Sequence, residues 1–92
     1  MIRATMTVLA GLSLVAPTAL AQSIGDRCVV ADPTNTPLNV RAGPNGRKLD
    51  ALLNGSDVRV VDVTRDAKGR LWARVSVFGA TVGWVFAPYL DC

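Results

Sequence analysis

The side chains that could carry out chemistry in this chain are few in kind. Among its 92 residues there is no His, and all seven acidic residues are Asp. A Ser-His-Asp or Cys-His site is therefore excluded, and an acid–base pair would have to use two Asp. Asp62 and Asp66 lie near a predicted turn, where we expect both to be solvated. Cys28 and Cys92 stand far apart without a His partner, which does not match zinc-ligand spacing, so we expect no enzyme activity, no metal and no cofactor.

The aromatic side chains are a stronger indication of function, because they can bind a ligand without reacting. The chain has two Trp, two Phe and one Tyr, and its inward positions are already supplied with Val and Leu, so some aromatics must lie at the surface. We expect Trp72, Trp84 and Tyr89 to line a shallow groove that packs an extended peptide. Trp72 is the favoured contact, because its neighbours Leu71 and Ala73 point to the other face. The alternative, weighted equally, is that Trp84 and Tyr89 only cover the open end of the fold.

The charged residues say less about a partner. The formal net charge is +3, and the basic residues alternate with Asp, which is typical of a solvated surface and not of a nucleic-acid stripe. An OB-like barrel for single-stranded nucleic acid would need a basic groove with interleaved aromatics, so we expect no nucleic-acid partner. Arg41 could recognise an acidic peptide end. Because it stands beside a tight turn, we favour a structural role in which it bonds loop carbonyls or an Asp.

The first 21 residues differ from the rest of the chain. Arg3 is their only charged side chain, and the apolar stretch that follows ends in the small-residue triplet Ala19-Leu20-Ala21. This pattern predicts a secretory signal peptide that is cleaved before Gln22. A transmembrane anchor is the less favoured alternative, because Thr and Ser dilute a stretch whose apolar core is shorter than the about 20 residues of a span. We expect residues 22–92 to form one domain outside the cytoplasm, without stable membrane insertion.

The two cysteines support the same compartment. Cys28 and Cys92 bracket the predicted domain, and such a pair closes in an oxidising environment. We expect a disulfide that restricts the unfolded chain by about 4 kcal/mol in the chain-entropy model. The alternative is two free buried thiols.

From Arg27 onward, short β-rich runs between turn signals predict an all-β fold of about five to six strands. Leu38 and Val40 should face inward. The valines change face between Val60 and Val61, which predicts a bulge of the kind that small barrels need. Such short strands bury a core only by closing up, because an open sheet would leave bare edges. The predicted strands lie near residues 28–31, 38–41, 48–53, 57–64, 71–77 and 82–86, with one 3₁₀ turn at 87–90.

Three motifs along the chain resemble the bacterial SH3 (SH3b) family in order and spacing. They are Leu38-Asn39-Val40-Arg41-Ala42-Gly43-Pro44, Trp72-Ala73-Arg74-Val75, and Gly83-Trp84-Val85 followed by Tyr89-Leu90. Each motif alone is weak, but the three together cover nearly the whole predicted domain. The resemblance implies a small, strongly bent SH3-like barrel whose first and last strands run close together, which would let Cys28 and Cys92 meet. It also implies a binding role, since such domains often target cell-wall enzymes to peptidoglycan peptides.

These observations lead to two functional hypotheses. The first is a periplasmic or secreted bacterial module that holds an extended peptide or a peptidoglycan stem through Trp72, Trp84, Tyr89 and Arg41. The second is a small accessory subunit or inhibitor that docks a protein partner, through the same face or through an exposed strand edge.

Overall fold

The computed structural model describes residues 22–92, so the predicted signal peptide at 1–21 lies outside the described residues. The described chain is all-β, as predicted, and its strands form one antiparallel sheet in the order β3-β2-β6-β5-β4-β1-β7, curled into a half-barrel. A 3₁₀ turn, Ala87–Tyr89, precedes the last strand. The strands are β1 (Arg27–Val30), β2 (Leu38–Arg41), β3 (Lys48–Leu52), β4 (Asp57–Arg65), β5 (Leu71–Val77), β6 (Ala80–Phe86) and β7 (Leu90–Asp91).

The inner face of this sheet carries a core of small aliphatic side chains. Leu38 and Val40 both point inward, with 4% and 0% of their surface exposed. Val75 and Val85 are also fully buried, which fits the alternation of side chains along β5 and β6. Branched aliphatic residues suit such a curved, half-buried surface. The core cluster consists of Cys28, Val30, Leu38, Val40, Val58, Val60, Ala73, Val75, Val85, Ala87 and Leu90.

The sheet curls because its ladders are interrupted at several points. The register shifts between Val60 and Asp62 in the β4–β5 pair, which confirms the bulge predicted from the valine pattern. A second shift separates Val75 from Ser76 in the β5–β6 pair, and a third lies at the end of β2 in its pairing with β3. Each irregularity bends its strand and increases the local twist. The bends enclose the core within a single sheet.

The beginning and the end of the described chain are joined. β1 pairs with β7, with Val30 opposite Leu90, and the Cys28–Cys92 disulfide closes beside them, so the predicted disulfide is confirmed. β7 is a seventh strand, one more than predicted, because a two-residue segment has no alternation to read; its pairing with β1 defines it. Within the described residues, no helix is long and apolar enough to span a membrane.

Candidate functional site

The candidate site lies on the outer face of β2, β6 and β5. Trp84 in β6 stands directly opposite Arg41 in β2 and Arg74 in β5. One step along the same two strands, Phe86 stands opposite Trp72. Residues directly opposite each other on antiparallel strands project to the same face. Arginines and aromatics therefore share this outer face, while the core residues occupy the inner one.

A shallow cavity of about 300 Å³ opens beside Trp84, and we call it the Trp84 cavity. Arg74 is exposed and Trp84 is half-buried, so one cation and part of an aromatic ring are both accessible there. A guanidinium matches the planar geometry of a carboxylate, and an indole presents a flat apolar surface. The cavity is lined by Ala42, Arg47, Leu49, Arg74, Thr81, Val82, Gly83 and Trp84.

Arg41 is held by the turn that follows β2. Its Nη1 donates a hydrogen bond to the carbonyl oxygen of Gly46 at 2.9 Å, which is the structural role favoured from its position beside a tight turn. The same turn is closed by the Gly46 amide, which donates to the Gly43 carbonyl at 2.8 Å. Arg41 therefore fixes the loop at one side of Trp84.

The other aromatic residues form a packed cluster, which we call the aromatic cluster: Trp72, Phe86 and Tyr89. The Trp72 and Phe86 rings meet edge to face with centroids 5.5 Å apart, and the Phe86 and Tyr89 rings do so at 5.1 Å. The guanidinium carbon of Arg70 lies 5.8 Å from the Phe86 centroid. Edge-to-face packing is the favourable arrangement of such rings, so the cluster is ordered by its own contacts.

Trp72 is not the exposed residue that the sequence predicted. Strand alternation placed it correctly on the face opposite Ala73, but only 5% of its surface is exposed. The Phe86 ring lies against it, and the loop between β4 and β5 supplies a partner for its indole nitrogen, which donates to Asp66 at 3.0 Å. Trp72 therefore packs beneath Phe86, and little of its ring is open to a ligand.

Asp66 is the residue that holds this arrangement together, and sequence reasoning missed it. Its side chain is 4% exposed, not solvated as predicted. Its Oδ2 accepts hydrogen bonds from the Trp72 indole, the Arg70 guanidinium and the Asn45 amide. Its Oδ1 accepts the backbone amides of Lys68 and Arg70. No periodic signal in a five-residue loop marks such a residue; a Trp six positions after an Asp was the only hint.

These hydrogen bonds determine the charge state of Asp66. Removal of the carboxyl from water raises its pKa, since burial penalises the charged form. The hydrogen bonds from Trp72, the Arg70 backbone amide, Asn45 and the Arg70 guanidinium act in the opposite direction and outweigh it, so the pKa lies well below the usual range of an aspartate. Asp66 is therefore an ionised structural acceptor.

The four predicted site residues fall into two neighbouring groups. Arg41 and Trp84 stand opposite each other on β2 and β6, while Trp72 and Tyr89 both contact Phe86. Phe86 lies two positions beyond Trp84 on the same strand and links the two groups. Sequence reasoning did not single out Phe86 or Arg74, although each is two residues from a predicted site residue and so shares its face.

The outer face offers arginines, aromatic rings and two carboxylates. Asp66 is fully occupied by donors, and Asp62 stands opposite Arg74 on β4. The part of the chain that the structure describes contains no group of three or more His, Cys, Asp or Glu side chains that could hold a metal ion.

A family model described as the bacterial SH3 domain matches residues 36–91. No curated protein and no solved structure matched the chain. The matched region runs from just before β2 into β7, and so it includes both the Trp84 cavity and the aromatic cluster.

Proposed function

Because the chain belongs to the bacterial SH3 domain family, whose members are generally non-catalytic binding modules, we propose that it binds an extended peptide or a peptidoglycan stem peptide. The ligand lies across the outer face of β2, β6 and β5, against Trp84 and Tyr89. The protein acts by holding this ligand and needs no cofactor.

One observation carries this proposal: Trp84 stands between two arginines, Arg41 and Arg74, at the edge of an open cavity. An extended peptide offers apolar side chains that pack on the indole, and carboxylates that pair with an exposed guanidinium. Within the described residues the single ion pair is that of Arg70 with Asp66. Arg74 therefore makes no ion pair there, although Asp62 stands opposite it on β4, and its exposed guanidinium can turn to a ligand carboxylate. Arg47 lines the same cavity and adds a second exposed cation.

The aromatic cluster extends this surface. Tyr89 is half-buried against Phe86 and keeps part of its ring for a ligand, while Trp72 acts as a positioning residue beneath Phe86. Arg41 positions the loop beside Trp84 and has further guanidinium donors for a ligand carboxylate. In this arrangement Trp84 and Tyr89 make the contacts, and Trp72 keeps their neighbour in place.

Two features support a location outside the cytoplasm. Residues 1–21 have the pattern of a signal peptide, and a disulfide joins Cys28 to Cys92. Disulfides persist in oxidising compartments such as the bacterial periplasm or the medium. A periplasmic or secreted protein would meet peptidoglycan directly.

The second hypothesis, an accessory subunit or inhibitor that docks a protein, is supported by a different observation. β3 is an edge of the sheet, and Leu49 on it is 45% exposed while Leu53 just beyond it is 71% exposed. An uncovered edge can add a strand from another chain. We keep this as the second candidate.

The test is sedimentation of the protein, with its disulfide closed, with purified peptidoglycan. We expect Trp84→Ala to weaken binding by about tenfold or more, as for a central aromatic contact. Arg74→Gln should weaken it several-fold and reduce its dependence on salt, since an exposed ion pair is screened. Arg59→Gln is the matched control, because Arg59 is exposed and does not line the Trp84 cavity.

Circular dichroism must first show that each variant folds. If Trp84→Ala and Arg74→Gln bind as well as Arg59→Gln does, the ligand contacts another surface. If the native protein does not sediment with the wall at all, the protein-docking hypothesis replaces this one.

A further inference from the structure

A second and larger groove lies on a part of the molecule that the proposed function does not use. It measures about 570 Å³ and opens between β1, β4 and the turn that joins β5 to β6. It has no lining residue in common with the Trp84 cavity. We call it the Phe78 groove; its lining residues are Arg27, Cys28, Val29, Asp57, Val58, Arg59, Ser76, Phe78 and Gly79.

Phe78 at the rim of this groove is fully exposed, at 104% of its reference surface. With Gly79 it forms a two-residue turn between the paired residues Val77 and Ala80. Its φ is +50° and that of Gly79 is +83°. Such a turn favours Asn or Gly at its first position, and a bulky residue is strained there. Within the described residues, the Phe78 ring makes no packing contact that would offset this strain. The ring is therefore available to a partner.

The groove also carries an unsatisfied pair of like charges. Arg27 and Arg59 stand directly opposite each other on β1 and β4, and both are exposed. Like charges in this position repel. Neither forms an ion pair with a described residue; the hydrogen bond of Arg59 to the Gly25 carbonyl is long, at 3.3 Å. A carboxylate placed between the two guanidinium groups would relieve the repulsion.

Two further residues define what the groove accepts. Val29 is 37% exposed and extends the apolar surface that Phe78 begins. Asp57 is the partner of Val29 on β4, so the groove combines two positive charges with one negative charge. A uniformly anionic polymer would be repelled at Asp57, whereas a polypeptide can place acidic and apolar side chains where each fits.

We infer that the Phe78 groove is the docking site for an acidic, apolar segment of a protein partner. Phe78 and Val29 pack against apolar side chains of that segment, and Arg27 and Arg59 pair with its carboxylates. This surface is separate from the ligand face proposed above, and so the module can hold two partners.

The probe for this inference is a fluorescein-labelled dodecapeptide in which Asp alternates with Leu, followed by fluorescence anisotropy. The disulfide-closed protein should bind it, and binding should weaken between about 50 mM and about 500 mM NaCl, because exposed charges are screened. Phe78→Asn should weaken binding by about tenfold or more, as loss of a central aromatic contact does. This variant is expected to fold at least as well as the native chain, because Asn suits the left-handed turn position. Arg59→Gln should weaken binding several-fold.

Two controls separate this inference from the proposed function. Leu53→Asn removes an exposed apolar side chain at the β3 edge, 71% exposed, and should leave peptide binding unchanged; loss of binding in this variant with none in Phe78→Asn would place the peptide on the β3 edge and overturn the inference. Arg74→Gln should impair wall sedimentation but not peptide binding, and Phe78→Asn should do the reverse.

Several outcomes would overturn the inference. They are the absence of saturable binding by the native protein below about 1 mM, equal binding of the same peptide with Lys in place of Asp, and unchanged affinity of Phe78→Asn. Equally tight binding of a single-stranded oligothymidylate would assign the groove to nucleic acid instead. Loss of peptide binding in Arg74→Gln with none in Phe78→Asn would place the peptide on the Trp84 face and leave the wall-binding proposal intact.

Discussion

The carboxylate of Asp66 accepts hydrogen bonds from five donor atoms, which come from Asn45, Lys68, Arg70 and Trp72. An ionised carboxylate only accepts, and its two oxygens have room for about four such bonds in good geometry. Protonation of the Asp66 carboxylate would place an O–H donor among N–H donors that all need an acceptor. One loop residue thus fixes the hairpin loop, the Asn45 turn and the Trp72 indole together.

Asp66 should make the stability of the fold depend on pH in the acid range. Its pKa is lower in the folded protein than in the unfolded chain. The ionised group therefore stabilises the fold above the unfolded pKa, which is about 4 for an aspartate, and this contribution is lost as the pH falls towards the folded pKa. We expect the free energy of unfolding, measured with urea, to decrease from about pH 5 to about pH 2.

Asp66→Asn should be less stable than the native protein at neutral pH and should show a shallower decrease over the same range. Asp50→Asn is the control, because Asp50 is exposed and, among residues 22–92, its carboxylate accepts only the amide of its neighbour Ala51; it should behave like the native protein. A native and an Asp66→Asn profile with the same slope would show that Asp66 does not govern acid stability.

At the scale of elements, the packing of β6 against β2 depends on Gly83. This glycine is buried and has a φ of +145°, and a Cβ added to it would lie 2.8 Å from both the Arg41 carbonyl oxygen and Val40 Cγ1. Both contacts are too close, and one of them is with backbone. The next residue, Trp84, pairs with Arg41 on β2 and with Arg74 on β5. β6 can approach β2 closely enough for this pairing only because Gly83 has no side chain.

We therefore expect Gly83→Ala to lower the free energy of unfolding by about 2–4 kcal/mol, from backbone strain together with overpacking. Gly43→Ala is the matched control. A Cβ at Gly43 meets nothing within 4 Å, so that variant should change the stability by no more than about 0.5 kcal/mol. Urea unfolding of both variants checks this, and equal stabilities would contradict the close approach of β6 to β2.

The strands show where sequence reasoning succeeds. The alternation of apolar residues in β2 and β5, and the change of valine face in β4, are local patterns with a period of two, and they located these elements and the β4 bulge. β7 was not predicted, because a strand of two residues is too short to show a period. Trp72 was placed on the correct face but given the wrong exposure, since its burial depends on Asp66 and Phe86, which a strand pattern does not connect.

The candidate site was predictable to a similar extent. The position of Arg41 beside a tight turn indicated its bond to a loop carbonyl. The pairing of Arg41 and Arg74 with Trp84 could not be predicted, because it depends on the register between three strands that are distant in sequence. The pairing of the two like charges Arg27 and Arg59 could not be predicted for the same reason.

At the scale of the whole molecule, stability depends on the bond between Cys28 and Cys92. The closed loop spans a sequence separation of 64 residues. In the chain-entropy model, a loop of that length contributes about 4 kcal/mol, a large share of the about 5–15 kcal/mol of a small domain. The two-residue pairing of β7 with β1 would be a weak attachment without it.

Replacing both cysteines with Ala should lower the melting temperature by about 15–30 °C, given about 4–8 °C per kcal/mol for a domain of this size. Calorimetry measures the change. Dithiothreitol provides the control, because it should lower the melting temperature of the native protein and leave the double variant unchanged. A fall of less than about 5 °C in the double variant would mean that the unfolded chain is already compact.

The same bond has a mechanical consequence. Cys28 is in the first strand and Cys92 follows the last one, so the whole sheet except Arg27 lies between two covalently joined points. Tension that enters the chain ahead of Cys28 and leaves at Cys92 passes through two sulfur atoms and leaves the strands between them without load. A protein of this design that is held to a stretching envelope would keep its outer face in shape while its attachments are pulled.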